Sequence, residues 1–226
     1  MTPLVIVRPE PGASATAEAA RKLGLEPVVM PLFAIVPLEW KPPDPRDFDA
    51  LLFTSANAIR HGGAGLNALR SLPAHCVGEA TARVVRQHGF QVASVGSGRV
   101  DGLLDSLPGA LRLLHLGGIH RHEPNAPRQA IHPIPVYRAE EIALPPAFEK
   151  LEDKVIAVHS PRAGTKIGEL GVARDRTAIA AISREAAEAA GSGWAAVASA
   201  GEPSDTALLA IAAELCKNPA RWSGRG

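Results

Sequence analysis

Aromatic residues are scarce in this 226-residue chain: Phe, Trp and Tyr together make up 4%, and Tyr137 is the single tyrosine. No run of Lys and Arg exceeds two residues, and the formal net charge is +1. A nucleic-acid binder needs a basic excess or a basic face with interleaved aromatics, so no nucleic-acid partner is expected. Cysteine is nearly absent as well. Cys76 and Cys216 lie far apart and form no Cys-x-x-Cys pair, which argues against a thiol metal centre or a redox dithiol and for a reducing, cytoplasmic setting. The opening Met1-Thr2-Pro3-Leu4-Val5-Ile6-Val7-Arg8 lacks a basic lead, and its apolar run is short, so it reads as a first buried strand, not a signal peptide or membrane span. No membrane partner is expected.

Several nucleotide and hydrolase motifs are missing too. There is no GxxxxGK[ST] phosphate loop and no GxSxG elbow. The nearest dinucleotide fingerprint, Gly96-Ser97-Gly98-Arg99-Val100-Asp101-Gly102, has its third glycine one residue late and no clear strand-to-helix junction, so it reads as a glycine-rich loop. His115, His120, His122 and His132 cluster in sequence without His-Glu-x-x-His spacing or a cysteine partner, and are read as facing solvent or a substrate carboxylate. Neither a metal nor a cofactor is expected.

What is present is globular and repetitive. Hydrophobic residues make up 46% and charged residues 21%, which excludes disorder. Short apolar β-branched runs alternate with Ala/Leu/Arg/Glu stretches of helical period, the pattern of parallel sheets covered by helices. Asp49-Ala-Leu-Leu-Phe-Thr-Ser-Ala-Asn-Ala58 aligns with Lys154-Val-Ile-Ala-Val-His-Ser-Pro-Arg-Ala163, an offset of 105 residues (49 to 154). The register persists, with Val77–Thr81 opposite Ile182–Ala186 and, after a compensated gap, Leu103-Leu104 opposite Leu208-Leu209. Each copy reaches a Gly-aromatic pair, Gly89-Phe90 or Gly193-Trp194, where glycine suits a left-handed helix end.

The fold class expected is α/β, with two parallel-sheet domains of similar design joined by a two-stranded linker and a cleft between them. Domain 1 is discontinuous, residues 1–35 and 142–226. Domain 2 spans 40–135, and the linker strands are 33–40 and 134–141. Pro31, Pro37, Pro42, Pro43 and Pro45 mark the exit, and Pro133 and Pro135 the return.

Hydroxyls at strand-to-helix turns are the remaining candidates: Thr54 and Ser55 in the first copy, Ser160 in the second. Such residues cap helices, and the same N–H groups and hydroxyls at strand ends bind anions. Tyr137 follows Ile134-Pro135-Val136 on the return crossing, where a phenol either packs amphipathically or enters the cleft.

The order of Val7-Arg8-Pro9, Leu23-Gly24-Leu25-Glu26-Pro27-Val28-Val29-Met30-Pro31-Leu32, Phe53-Thr54-Ser55-Ala56-Asn57-Ala58, Val77-Gly78-Glu79-Ala80-Thr81-Ala82, Pro135-Val136-Tyr137, His159-Ser160-Pro161-Arg162-Ala163 and Ala180-Ala181-Ile182-Ser183 resembles the uroporphyrinogen-III synthases over nearly the whole chain. The resemblance implies a cofactor-free cyclising lyase of porphyrin (haem) biosynthesis. Its substrate would be hydroxymethylbilane, closed to uroporphyrinogen III through an azafulvene and a spiro intermediate, with loss of water and inversion of the last pyrrole. It makes Tyr137 the candidate for assisting hydroxyl departure. Thr54, Ser55, Thr81 and Ser160 become candidate carboxylate-binding or cleft-lining groups, with Arg8, Arg138 and Arg162 as charge partners or solvated surface residues. A monomer is the implied state, with hand-over from hydroxymethylbilane synthase. The sequence departs from the family pattern at Ala56, where proline is common, at Ala139, where threonine is common, and at His159 and Ala186, where hydroxyl residues are frequent. Gly117–Pro127 carries prolines where a helix is usual, which suggests a trimmed loop. The substituted hydroxyls motivate an alternative, a non-catalytic two-domain tetrapyrrole-binding or regulatory module. A nucleotide-using α/β enzyme is a weaker rival, since it rests on fold alone.

Overall fold

The computed structural model of the chain describes residues 1–121, 123–144, 148 and 150–219. The strands in chain order are β1 (Leu4–Ile6), β2 (Pro27–Val29), β3 (Phe33–Pro37), β4 (Ala50–Phe53), β5 (Ala74–Cys76), β6 (Val92–Val95), β7 (Arg112–Gly118), β8 (Ala130–Glu141), β9 (Val155–Val158), β10 (Ala178–Ala181) and β11 (Ala196–Ser199). The helices are α1 (Gly12–Lys22), α2 (Asn57–His61), α3 (Glu79–Gln87), α4 (Val100–Asp105), α5 (Pro161–Glu169), α6 (Arg184–Ala189) and α7 (Asp205–Lys217). The chain divides into two compact units, one formed by Met1–Ala34 with the described residues from Glu141 onward, the other by Ile35–Glu140.

The first unit is built on a five-stranded sheet of order β11-β10-β9-β1-β2. Every neighbouring pair is parallel. Residues of β1, β9 and β10 are buried throughout. A parallel strand covered on both faces needs such an unbroken apolar run. In α1, Ala13, Thr16, Ala17 and Ala20 are buried, a helical stripe facing the sheet. With Leu208, Leu209, Ala212 and Cys216 of α7 they enclose Leu4, Ile6, Val155 and Ala157. Helix α1 stops because Gly24 takes φ +74°, which lets Leu25 N–H bond the Ala20 carbonyl at 3.1 Å. Helices α5 and α6 approach closely through small residues: a Cβ on Gly164 would strike the Ala186 carbonyl, and one on Gly168 would lie 2.8 Å from the Ala190 carbonyl. Ala186, where a hydroxyl is frequent in the family pattern, is thus part of a helix contact.

The second unit holds a six-stranded sheet of order β3-β8-β7-β4-β5-β6. The pairs β4–β5, β4–β7, β5–β6 and β7–β8 are parallel. Period-two alternation divides its core. Leu51, Phe53, Leu114 and Leu116 face Ala58, Ile59, Ala82, Val85 and Phe90. Ala50, Leu52 and Leu113 face Val100, Leu103, Leu104 and Leu107. At the edge, Leu38 N–H bonds the Val136 carbonyl and Ile142 N–H the Leu32 carbonyl, so β3 runs antiparallel to β8.

Two features differ from, or add to, the sequence expectation. Gly96–Arg99 does join a strand to a helix, β6 to α4, although Gly102 lies inside that short helix and no phosphate loop results. Pro133 and Pro135 lie inside a long strand beside β7. Ala130 N–H bonds the Leu111 carbonyl, so alternation turns the nitrogens of Pro133 and Pro135 away from β7, where their missing N–H breaks no ladder bond. The β7-to-β8 crossover carries no helix among its described residues.

Candidate functional site

In the second unit the C-terminal ends of β4 and β7, with the far half of β8, bring together a polar group. Thr54 and Ser55 follow Phe53, the last residue of β4. His115 of β7 pairs in register with Leu52, so Thr54, two residues on, shares its face. Thr54 Oγ1 lies 3.0 Å from His115 Nε2. His115 is only 1% exposed. Burial, with the charge of Arg121, pushes its imidazole down to about 4, so it is neutral at ordinary pH. The sequence reading of His115 as facing solvent or a substrate carboxylate is therefore corrected: it is a core residue with a hydroxyl partner.

Tyr137 sits on the other side of the same rim. A register shift between Gly117 and Gly118 pairs Gly118 with Tyr137. A Cβ on Gly118 would lie 2.8 Å from Tyr137 Cε2 and 3.2 Å from its hydroxyl, so only glycine leaves room for the ring. Burial pushes the phenol above the usual tyrosine range, offset in part by the Ser55 hydroxyl. Ser55 Oγ also accepts the Asn57 N–H at 3.2 Å. The His61 ring is centred 6.3 Å from the Tyr137 ring, and burial, then the Arg60 charge, lowers its pKa. Thr81 is buried in the first turn of α3. Arg138 is the residue after Tyr137, so alternation puts it on the opposite face of β8, where its Nε donates to Glu140 at 2.6 Å.

The first unit has its own rim at the ends of β1 and β9. Arg8 Nη1 lies 2.7 Å from Asp205 Oδ1 and donates to Thr16 Oγ1 at 3.2 Å. Thr16 Oγ1 in turn donates to Asp205 Oδ2 at 2.5 Å. His159, with its side chain 6% exposed, brings Nε2 to 3.3 Å from Asp205 Oδ1, without the alignment of a good hydrogen bond. Burial pushes the Asp205 carboxyl up, but His159, the Arg8 charge and Thr16 outweigh it and hold the group at about 2. Burial is the main cause that lowers the His159 pKa. Ser160 caps α5, accepting the Ala163 N–H at 3.2 Å. The Arg162 guanidinium lies over the Phe33 ring, 4.5 Å from its centre.

The family model for uroporphyrinogen-III synthase HemD matches residues 14–210. The chain belongs to the uroporphyrinogen-III synthase family. Solved structures agree in fold. Uroporphyrinogen-III synthetase from Helicobacter pylori superposes with a TM-score of 0.63 at 18% identity, over 95% of this chain and 100% of that one. A mutant uroporphyrinogen III synthase from Thermus thermophilus superposes with a TM-score of 0.52 at 20% identity, over 96% and 100%. No match was found among curated proteins. As a uroporphyrinogen-III synthase the protein is a cyclising lyase of tetrapyrrole and haem biosynthesis, and the catalytic reading stands over the non-catalytic binding module. Among the described residues no helix is long and apolar enough to cross a membrane.

The candidates taken from the synthase resemblance thus fall into separate sets. Thr54, Ser55 and Tyr137 share one rim with His115 and His61. Ser160, Arg8 and Arg162 lie in the other unit, with Arg8 enclosed by Asp205 and Thr16. His115 had a legible signal, a polar residue inside the apolar run Leu113–Leu116. Asp205 had none, since its partner Arg8 is 197 positions away. Of the other clustered histidines, His120 and His132 are exposed, and His122 lies outside the described residues.

Proposed function

We propose that the substrate is hydroxymethylbilane and that Tyr137 assists departure of its terminal hydroxyl. The observation that carries this reading is the buried Tyr137 phenol, its ring given room by Gly118 and its ionisation influenced by the Ser55 hydroxyl. Ser55 Oγ accepts the Asn57 N–H, which leaves its own O–H for a substrate group, and the Tyr137 phenol keeps an O–H to donate. A phenol pushed above its ordinary range stays protonated through neutral pH. It donates to the leaving oxygen as the pyrrole nitrogen's electron pair expels it, giving the azafulvene and, after proton transfer, water.

Attack by the substituted carbon of the last pyrrole then forms the spiro intermediate, which fragments and recloses with that ring reversed. The uncatalysed chain closes directly to the symmetric isomer, so holding the curled geometry is the main task. Thr54, Ser55, Thr81 and Ser160 are proposed to bind substrate carboxylates, with Arg162 and Arg138 as charge partners. Arg8 already has a carboxylate partner in Asp205 and would meet substrate only by sharing it. The same reading takes the enzyme to be a cytoplasmic monomer that receives its unstable substrate from hydroxymethylbilane synthase.

The test is incubation with freshly generated hydroxymethylbilane, oxidation, and chromatographic separation of type I and type III uroporphyrins. Predominant type III is the expected result; type I alone at the spontaneous rate overturns the reading. Tyr137→Phe is expected to lower turnover about tenfold, the worth of one hydrogen bond to a developing charge at ~1.5 kcal/mol. Unchanged turnover would remove Tyr137 from the mechanism.

A further inference from the structure

We infer that His115 is a positioning residue for Thr54: from the buried face of β7 its Nε2–H donates to Thr54 Oγ1, fixing the hydroxyl at the strand-end rim with its own proton free for a substrate carboxylate. The inference rests on the proposed carboxylate-binding role of Thr54.

An imidazole is expensive on this face. Its neighbours along the sheet are Leu52 and Leu113, packed against Leu103 and Leu104, and a buried polar group is tolerated when it is hydrogen-bonded. Thr54 Oγ1 is the one side-chain hydrogen-bond partner of His115 among the described residues. The space around the bonding nitrogen is also kept clear. A Cβ on Gly117 would lie 3.2 Å from His115 Nε2, closer than to any other atom of that ring.

Polarity follows from the donor inventory. A carboxylate only accepts, so a threonine that spent its proton on the imidazole would have none to offer. With Nε2 protonated, Thr54 accepts from the ring and donates to substrate. The β-branched side chain has few χ1 options, so one such bond suffices to select its rotamer.

The test has two arms. Imidazole nitrogen NMR of the folded enzyme without substrate should show His115 neutral and protonated at Nε2 between pH 5 and 8, with that resonance shifted by Thr54→Val. In the kinetic arm, His115→Leu should raise KM roughly two- to tenfold, the range for one lost hydrogen bond, with kcat nearly unchanged. His115→Gln should recover most of the loss, and His115→Leu should add nothing in a Thr54→Val background. Protonation at Nδ1 overturns the inference, as does a His115→Leu effect that persists in full without the Thr54 hydroxyl. If His115→Leu does not fold, the nitrogen spectra and His115→Gln decide the matter. Wild-type enzyme that makes only type I uroporphyrin refutes the proposed function, a result distinct from failure of the His115–Thr54 pair in the spectra.

Discussion

Gly118→Ala tests whether the placement of the Tyr137 ring matters to the reaction. The added methyl would lie 2.8 Å from Cε2, 3.0 Å from Cζ and 3.2 Å from the hydroxyl oxygen. Carbon–carbon contact is comfortable from about 3.5 Å outward, so the ring must retreat by roughly 0.7 Å. Gly118 is not among the glycines with positive φ, so alanine meets no backbone strain there. Overpacking costs about 1 to 3 kcal/mol, offset by the ~0.5 to 1 kcal/mol that alanine gains over glycine, leaving a fold weakened by about 2.5 kcal/mol at most. A misplaced phenol can cost the reaction up to what its removal costs, about tenfold. The expected fall in the initial rate of type III formation is therefore roughly three- to tenfold, with type I at its spontaneous rate. Gly102→Ala is the control, since nothing lies within 4 Å of its added methyl. A folded Gly118→Ala enzyme with wild-type rate, beside a slow Tyr137→Phe enzyme, would refute the argument that the glycine holds the phenol in place.

Asp205→Asn should destabilise the first unit by about 1 to 2 kcal/mol at pH 7, because the carboxylate is partly exposed and its charged partners are screened. Its folded pKa of about 2 lies below the ordinary 3.8, so the stabilisation is complete above about pH 4 and disappears as pH falls toward 2. The lowered pKa of His159 adds to acid loss in both proteins, since the unfolded state takes up that proton first. Denaturant unfolding at pH 7, 4 and 3 should show the gap between wild type and variant closing, and a constant gap would contradict the linkage. Burial pushes the Cys76 thiol up to about 11 and the Cys216 thiol up to about 12. A thiol reagent at pH 8 should therefore leave both unlabelled in the folded protein and modify both in denaturant; fast native labelling would contradict their burial.

The α/β class was legible because period and burial agree. The aligned segments Ala50–Phe53 and Val155–Val158 are both strands buried at every position, as an apolar run in a covered parallel sheet must be. The glycine before each return strand was legible through its backbone freedom: Gly89 takes φ +80° and Gly193 φ +90°. In the second copy the helix itself ends at Gly191, whose N–H bonds the Glu188 carbonyl, a distinction of two residues that a Gly-Ser-Gly turn hides. Pro133 and Pro135 looked like the end of a domain because proline usually breaks a ladder. Whether it does depends on which side its nitrogen faces, and that is fixed by the register in which Ala130 N–H bonds the Leu111 carbonyl. The site was legible as residue types more than as groupings. Thr54 and Ser55 announced themselves by the strand-to-helix turn, but the His115 ring that bonds Thr54 comes from a strand about sixty residues later, and its place among four histidines clustered in sequence masked its burial.

The two rims also use their hydroxyls differently, and the difference bears on what each can offer a substrate. In the first unit Ser160, Ser183 and Ser204 all accept N–H groups as helix caps. Ser204 donates its own O–H to Glu202 at 3.0 Å, while Ser160 and Ser183 keep theirs as donors beside the positive end of a helix, an arrangement suited to carboxylates. In the second unit the starts of α2, α3 and α4 have no side-chain cap hydrogen bond. Thr54 is engaged by the His115 ring and Ser55 by the Asn57 backbone N–H, so these hydroxyls are oriented by a side chain of another strand and by the turn itself. Orientation of that kind fixes the direction in which a hydroxyl proton is offered to a carboxylate, while caps add the partial charge of a helix end to the holding of charge. The departures from the family pattern follow the same division. Ala56 starts α2 without a cap, and His159 replaces a hydroxyl at the end of β9 yet turns inward to Asp205, leaving Ser160 beside it as the donor on that rim. Loss of the Ser160 hydroxyl should therefore weaken substrate binding and α5 together, whereas loss of the Thr54 hydroxyl should weaken binding without touching a helix cap.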